Sequence, residues 1–298
     1  MRIEELYGPS IGTETPRGLK TLICRLDALL PGIRLRERLL ALPKLSHQTI
    51  ADFLGDNGHL NERILSILRT SEIRDLSLSS SLTDEEGLNI MSSNSLSVFG
   101  KHNSFLFLSY LDFGDVPLED DQIMHIHHLP RLSRLILDNT GVSNEAMYHL
   151  VPLKRSLRFL SVSTNTKITN DSIFALTTLS RLEFLNIFDT EIDIKGVRQF
   201  ARRLVEQDRI TDLVLPLECE EYFDDIRSRY LVEPTPPLIT EPELCGRLSA
   251  AALKRNLVAH AAVNRSIVAS GTKAEMAERL RNLLTIRQDD LLIQERCT

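Results

Sequence analysis

Cysteine is scarce in this sequence, and its four copies, Cys24, Cys219, Cys245 and Cys297, stand far apart with no C-x-x-C spacing. That pattern supplies neither a disulfide framework nor a paired-thiol zinc site, so a reducing intracellular setting, nuclear or cytoplasmic, is expected. Long apolar runs are missing as well. No window approaches the roughly twenty uninterrupted apolar residues of a membrane span, and residues 1–8 carry Glu4 and Glu5 instead of a signal-like core. Neither secretion nor membrane association is expected. The phosphate-cradling G-x-x-x-x-G-K-[ST], the dinucleotide G-x-G-x-x-G and the nucleophile-elbow G-x-S-x-G are all absent, and no nucleophile–base constellation is readable. The expectation is a protein without catalytic residues, cofactor or metal. A hydrolase or transferase working through residues that leave no signature is the competing class.

Two polar clusters invite a site and are assigned blander roles. His125 and His128, within His125-Ile126-His127-His128, lie one helical turn apart. The glutamate of an H-E-x-x-H zinc helix is lacking, however, and a polar helix face is the expected reading. Glu119, Asp120 and Asp121 fall where a helix should start, and the helix dipole accounts for them.

Charge is distributed unevenly. Residues 244–284 hold seven basic residues (Arg247, Lys254, Arg255, Arg265, Lys273, Arg279, Arg281) against Glu275 and Glu278, a local charge of +5 within a chain whose formal net charge is −6. Residues 1–243 therefore carry about −10. An acidic body is joined to a basic module.

The acidic body is periodic. Four segments share an L-x-x-L-x-apolar register: Leu108, Leu111, Phe113; Leu132, Leu135, Leu137; Leu157, Leu160, Val162; and Leu182, Leu185, Ile187. Their first leucines are 24, 25 and 25 residues apart, and degraded copies begin at Ile73 and Ile210. Residues 92–103 read as an insertion in the first interval. Polar residues recur after each predicted strand (Thr140, Asn165, Thr190), placed to satisfy the backbone of an unpaired turn. Helix-start signals follow at Thr83-Asp84-Glu85-Glu86 (opening Leu88 and Met91), Ser143-Asn144-Glu145, Thr169-Asn170-Asp171 and Asp193. The helical faces are Ile123, Ile126, Leu129; Met147, Leu150, Leu153; Ile173, Leu176, Leu179; and Val197, Phe200, Leu204. No single repeat can bury its own strand and helix, so neighbours must stack.

These residues resemble the ribonuclease-inhibitor-like, or cysteine-containing, leucine-rich repeats found in F-box receptors and related ubiquitin-ligase adaptors. The resemblance spans 73–215 and implies an α/β solenoid with parallel strands on the concave face and helices on the convex face. Residues 1–72, where no F-box is found, are expected to form a helical cap or irregular early repeats around Leu22, Leu26, Leu29, Leu30, Ile64, Leu65, Ile67 and Leu68. Residues 73–231 then form the repeat domain, closed by an acidic helix over 218–230. Alternation along the strands turns Tyr110, Asp112, Arg134, Ser161 and Asn186 toward a protein ligand.

Four prolines between Val232 and Pro242 exclude a regular helix, so 232–243 is expected to be a semi-rigid linker. Within the 244–285 module, Ser266-Ile267 and then Gly271-Thr272-Lys273, Met276, Arg279 and Leu280 resemble the SAP family, a helix–extended loop–helix unit. Ser266, Ala262 and Val258 depart from that pattern in its first half. The resemblance implies DNA or RNA phosphates as partners for Lys254, Arg255, Arg265, Lys273, Arg279 and Arg281. Residues 286–298 are read as a tail. The functional expectation is an adaptor with a protein ligand on the repeats and a chromatin-tethering module. The alternative is a substrate-recognition subunit of a ubiquitin ligase. Oligomeric state is not readable.

Overall fold

A computed structural model of the chain describes residues 11–12, 14–82 and 95–297. The helix expected to open at Thr83-Asp84-Glu85-Glu86 with Leu88 and Met91 lies outside the described residues, as do residues 92–94 of the expected insertion. The chain forms two compact units, Met1–Glu191 and Ile192–Thr298.

Among the described residues the first unit opens with four helices, α1 (Pro16–Leu29), α2 (Leu35–Leu40), α3 (His47–Asp56) and α4 (Glu62–Leu68). Thr15 caps α1 by accepting from the Gly18 amide, and Pro16 occupies the first helical position, where a missing N–H costs nothing. Leu19, Leu22, Ile23 and Leu26 recur on one face and are buried. Ser46 and Thr49 cap α3 reciprocally, and Asn61 caps α4.

Five short strands follow: β1 (Asp75–Ser77), β2 (Tyr110–Asp112), β3 (Arg134–Ile136), β4 (Phe159–Ser161) and β5 (Phe184–Asn186). Each pairs in parallel with the next, and the register aligns Leu76, Leu111, Leu135, Leu160 and Leu185 in one row. All five leucines are buried. The repeat expectation therefore holds as a mixed α/β stack, one strand per repeat, with Ile73 opening the first copy.

Two devices let the chain turn after strands β2 to β5. The first is a residue in the left-handed region three positions beyond the strand end: Asp115 (φ 63°), Asn139 (φ 52°), Thr164 (φ 58°) and Asp189 (φ 56°). Asp and Asn tolerate that conformation, whereas the β-branched Thr164 is strained in it. The amides of Asp115, Asn139 and Thr164 donate to the carbonyls of Asp138, Ser163 and Phe188, continuing the ladder past the strands. The second device is the buried Asn165. Its amide nitrogen donates to the Leu137 and Val162 carbonyls (2.7 and 2.9 Å), and its oxygen accepts from the amides of Thr140 and Gly141 (3.1 and 2.8 Å). Thr140 and Thr190 donate to the Leu137 and Ile187 carbonyls. These are the roles expected of the recurrent polar residues.

The connecting segments differ from regular α-helices. A single turn, α5 (Ser79–Leu82), follows β1, Asp120–Ile126 is a 3-10 helix, α6 (Asn144–His149) runs into the 3-10 turn Val151–Leu153, and α7 (Ile173–Thr178) is short. The step of three from Ile123 to Ile126 suits the three residues per turn of the 3-10 segment, whereas the same step from Ile173 to Leu176 is taken on an α-helix. Asp120 accepts from both the amide and the hydroxyl of Ser143 (2.7 and 2.5 Å), so it fastens one repeat to the next as well as sitting in a first turn.

The second unit contains α8 (Ile194–Glu206), β6 (Asp212–Val214), α9 (Leu217–Asp224), α10 (Ile226–Arg229), the 3-10 turn Pro242–Arg247, α11 (Ala250–Val263) and α12 (Lys273–Arg296). The acidic helix expected over 218–230 is thus two short ones. Cys245, Leu253, Leu257, Met276, Leu280 and Leu284 form a core, against which Ile239 packs. The proline-bearing segment is therefore docked and is no free spacer. The Ile239 amide donates to Asn256 (2.9 Å), the Val232 carbonyl accepts from Arg287 (2.8 Å), and Pro242 is buried. Helix α12 runs on through residues 286–296, where Arg287, Asp289, Asp290 and Ile293 are buried.

Candidate functional site

In a strand, the residues on either side of a buried leucine point away from the core. The register therefore sets two columns on the outer face of the first unit's sheet. One runs Asp75, Tyr110, Arg134, Phe159, Phe184, and the other Ser77, Asp112, Ile136, Ser161, Asn186.

From Tyr110 to Phe184 the first column is a continuous stack. The Arg134 guanidinium lies 5.6 Å from the Tyr110 ring centroid and 4.9 Å from that of Phe159. The Phe159 and Phe184 rings are parallel to within 2° at 4.3 Å. Both phenylalanines and Tyr110 are half-buried, and Arg134 is exposed. Burial, with Asp112 adding to it, raises the Tyr110 phenol above its usual range, so it stays a neutral donor. A guanidinium held between aromatic faces is pre-ordered and loses little rotamer freedom on meeting a partner.

Apart from Ile136, the second column is polar and largely self-satisfied. Ser161 donates to Asp138 (2.5 Å) and accepts from Asn186 (3.0 Å), and the Ser163 amide donates to Asp138 (2.9 Å). Asp112 accepts from the Ser77 hydroxyl and the Gly114 amide. Of the residues expected to face a ligand, Tyr110, Asp112, Arg134 and Asn186 lie on this face with part of their surface open. Ser161 differs: it is buried, because its neighbours' side chains close over the hydroxyl they bind. Sequence reasoning missed Phe159 and Phe184, although they hold the same place before the central leucine as Tyr110 and Arg134.

In the second unit, α11 and α12 flank the loop 264–272. Lys254, Arg255, Arg265, Lys273 and Arg281 are exposed and have no ion pair among the described residues. Arg279 is occupied otherwise, since its Nη1 donates to the carbonyls of Val268 and Ser270 (2.6 and 3.1 Å) and clamps the loop. Thr272 and Glu275 form a reciprocal cap on α12. The cap hydrogen bonds hold the Glu275 carboxyl below its ordinary range.

The histidine cluster lies on the 3-10 segment and the turn after it, where His127 Nε2 and His128 Nε2 are 2.8 Å apart and the rings meet edge to face. Burial and the neighbouring imidazoles lower the His127 pKa. No cluster of three metal-binding side chains is present among the described residues. Among those residues no helix is long and apolar enough to cross a membrane.

No family description matches the sequence, and no curated protein matches it. Among solved structures the chain is similar to one chain of a crystal structure of the yeast Rad7 and Elc1 complex, at 17% identity and a TM-score of 0.46. The match covers 69% of this chain and 48% of that one, so the chain spans about half the length of the solved chain it resembles.

Proposed function

We propose that this chain is a non-enzymatic adaptor of the leucine-rich-repeat class, in its ribonuclease-inhibitor-like form, that binds a protein on the outer face of its strands. The reading rests on the Tyr110–Arg134–Phe159–Phe184 stack. Aromatic and arginine side chains are the types that dominate binding hot spots, and a row of half-open rings on a sheet otherwise satisfied internally has no folding role that requires exposure. The proposed repeat domain spans 73–231, after a helical cap over 1–72. The test is quantitative affinity purification of the full chain beside Arg134→Glu and Phe184→Ala. The expected outcome is a partner lost from both variants while their denaturation midpoints stay close to the parent's. A partner set unchanged by both substitutions would remove this face from consideration. Recovery of cullin or Skp-type adaptors would instead favour a ubiquitin-ligase substrate receptor, and chromatin proteins a nuclear adaptor.

One observation favours a second partner for the 244–285 module. Lys273 occupies the first turn of α12, where a cation opposes the helix dipole, and it stands unpaired among the other exposed cations. We infer a SAP-like hairpin that meets nucleic-acid phosphates without sequence preference. Salt titration of the full chain with duplex DNA tests this. Each phosphate contact contributes about 0.9 to the slope of log affinity on log salt, so Lys273→Glu with Arg281→Glu should lower the slope by about 2. Binding absent at low salt, or unaffected by the pair, would leave the hairpin a second protein-binding element.

A further inference from the structure

The helical unit holds a cleft of about 330 Å³, lined in part by Tyr222, Arg229, Ile267, Arg279, Leu283 and Ile286. That volume lies at the lower end of the range of small-molecule sites. No carboxylate appears among its described lining residues. The nearby acid, Asp290, is fully buried and saturated, accepting from Arg198 Nε (2.7 Å), Tyr222 (2.9 Å) and Tyr230 (2.7 Å). It therefore neutralises Arg198 and pairs with neither of the cleft's own arginines, of which Arg279 has Glu275 nearby while Arg229 has no ion pair among the described residues.

Those two arginines differ in how they are held. The Arg229 guanidinium lies 4.0 Å from the Tyr222 ring centroid, and its Nε is buried with no hydrogen-bond partner among the described residues. Arg279 spends Nη1 on two loop carbonyls, which fix its position without cancelling its charge. Ile267, Leu283 and the exposed Ile286 line the same cleft. A buried donor without an acceptor is costly, and an anion would satisfy it through a charge-assisted bond. The aliphatic wall gives nothing to a bare inorganic ion but rewards apolar surface.

We propose that this cleft binds a small amphipathic carboxylate, its head at Arg229 beside Arg279 and its apolar body against Ile267, Leu283 and Ile286. The site is independent of the strand face and of phosphate binding by the exposed lysines. Its test uses the full chain with methyl-labelled isoleucine and leucine, titrated with 3-phenylpropionate. Saturable shifts should be confined to the methyls of Ile267, Leu283 and Ile286. The neutral 3-phenylpropanamide should bind about tenfold more weakly, the loss of one charge-assisted interaction, and inorganic phosphate should compete poorly. Arg229→Gln should weaken binding by a similar factor. Because Arg229 also stacks on Tyr222, Ile286→Glu provides a second variant at an exposed position, which should abolish binding with an unchanged denaturation midpoint. Absent or diffuse shifts, equal binding of the amide, effective competition by phosphate, or full binding by a folded Ile286→Glu protein would each overturn the proposal.

Discussion

The two units of this chain solve the same problem, burying polar groups at low cost, over different distances along the sequence. In the repeat unit the partners come from the neighbouring copy: Asn165 reaches Thr140, Ser161 reaches Asp138, and Asp120 receives Ser143, all within one repeat length. In the helical unit the central acid is met from far away, as Arg198 donates to Asp290 across 92 positions and Arg202 pairs with Asp289 across 87. A short-range solution recurs and leaves a period in the sequence. A long-range one occurs once and leaves none.

The largest expected effect sharpens that contrast. Asp290→Ala strands Arg198 and two tyrosine hydroxyls in a buried setting and should cost about 3–5 kcal/mol. Hydrogen exchange should show the loss first in residues 192–298, with protection of the strand ladder retained. Equal loss of protection in both units would show that they unfold as one and break the contrast.

Leu160→Ala is the counterpart in the repeat unit. Leu160 is fully buried between the registered Leu135 and Leu185, and truncation should cost about 2–5 kcal/mol. Chemical denaturation checks this, and an unchanged midpoint would contradict the stacked register.

His260 makes the helical unit sensitive to acid. Its ring is fully buried, its Nδ1 accepts from the Leu231 amide (3.1 Å), and burial, with Arg287 adding to it, lowers the pKa to about 4 from 6.5. Above pH 6.5 the imidazole is neutral whether the chain is folded or not. As pH falls below 6.5 the unfolded chain gains a proton that the folded one refuses until about pH 4. Stability should therefore decline across that window, by about 1.4 kcal/mol per pH unit. Midpoints measured at pH 7 and pH 5 should differ more for the parent than for His260→Gln, and an equal difference would assign the acid sensitivity elsewhere.

The smallest effect is a gain. Thr164 adopts the left-handed conformation that Asp115, Asn139 and Asp189 adopt at the equivalent turns. Thr164→Asn should stabilise the repeat unit by about 1 kcal/mol. A lower thermal midpoint would show that the threonine side chain has a role the turn geometry does not reveal.

Sequence alone determined the strand positions, the row of buried leucines, the polar turn residues and the caps at Ser143, Thr169, Asp193 and Thr272, because each is fixed by neighbours a few residues away or one repeat away. The ladder of aromatic rings was within reach, since Phe159 and Phe184 share the column of Tyr110 and Arg134. What tertiary structure decided was which exposed-looking groups are spent. Ser161 is closed in by Asp138 and Asn186, and Arg279 is committed to its own loop. The proline-bearing segment is docked on α11 and α12, and the continuation of α12 to Arg296 follows from buried partners for Asp289 and Asp290. Those outcomes depend on pairs of groups brought together from separate elements, where burial strengthens each charge and hydrogen bond, and no local pattern encodes such a meeting.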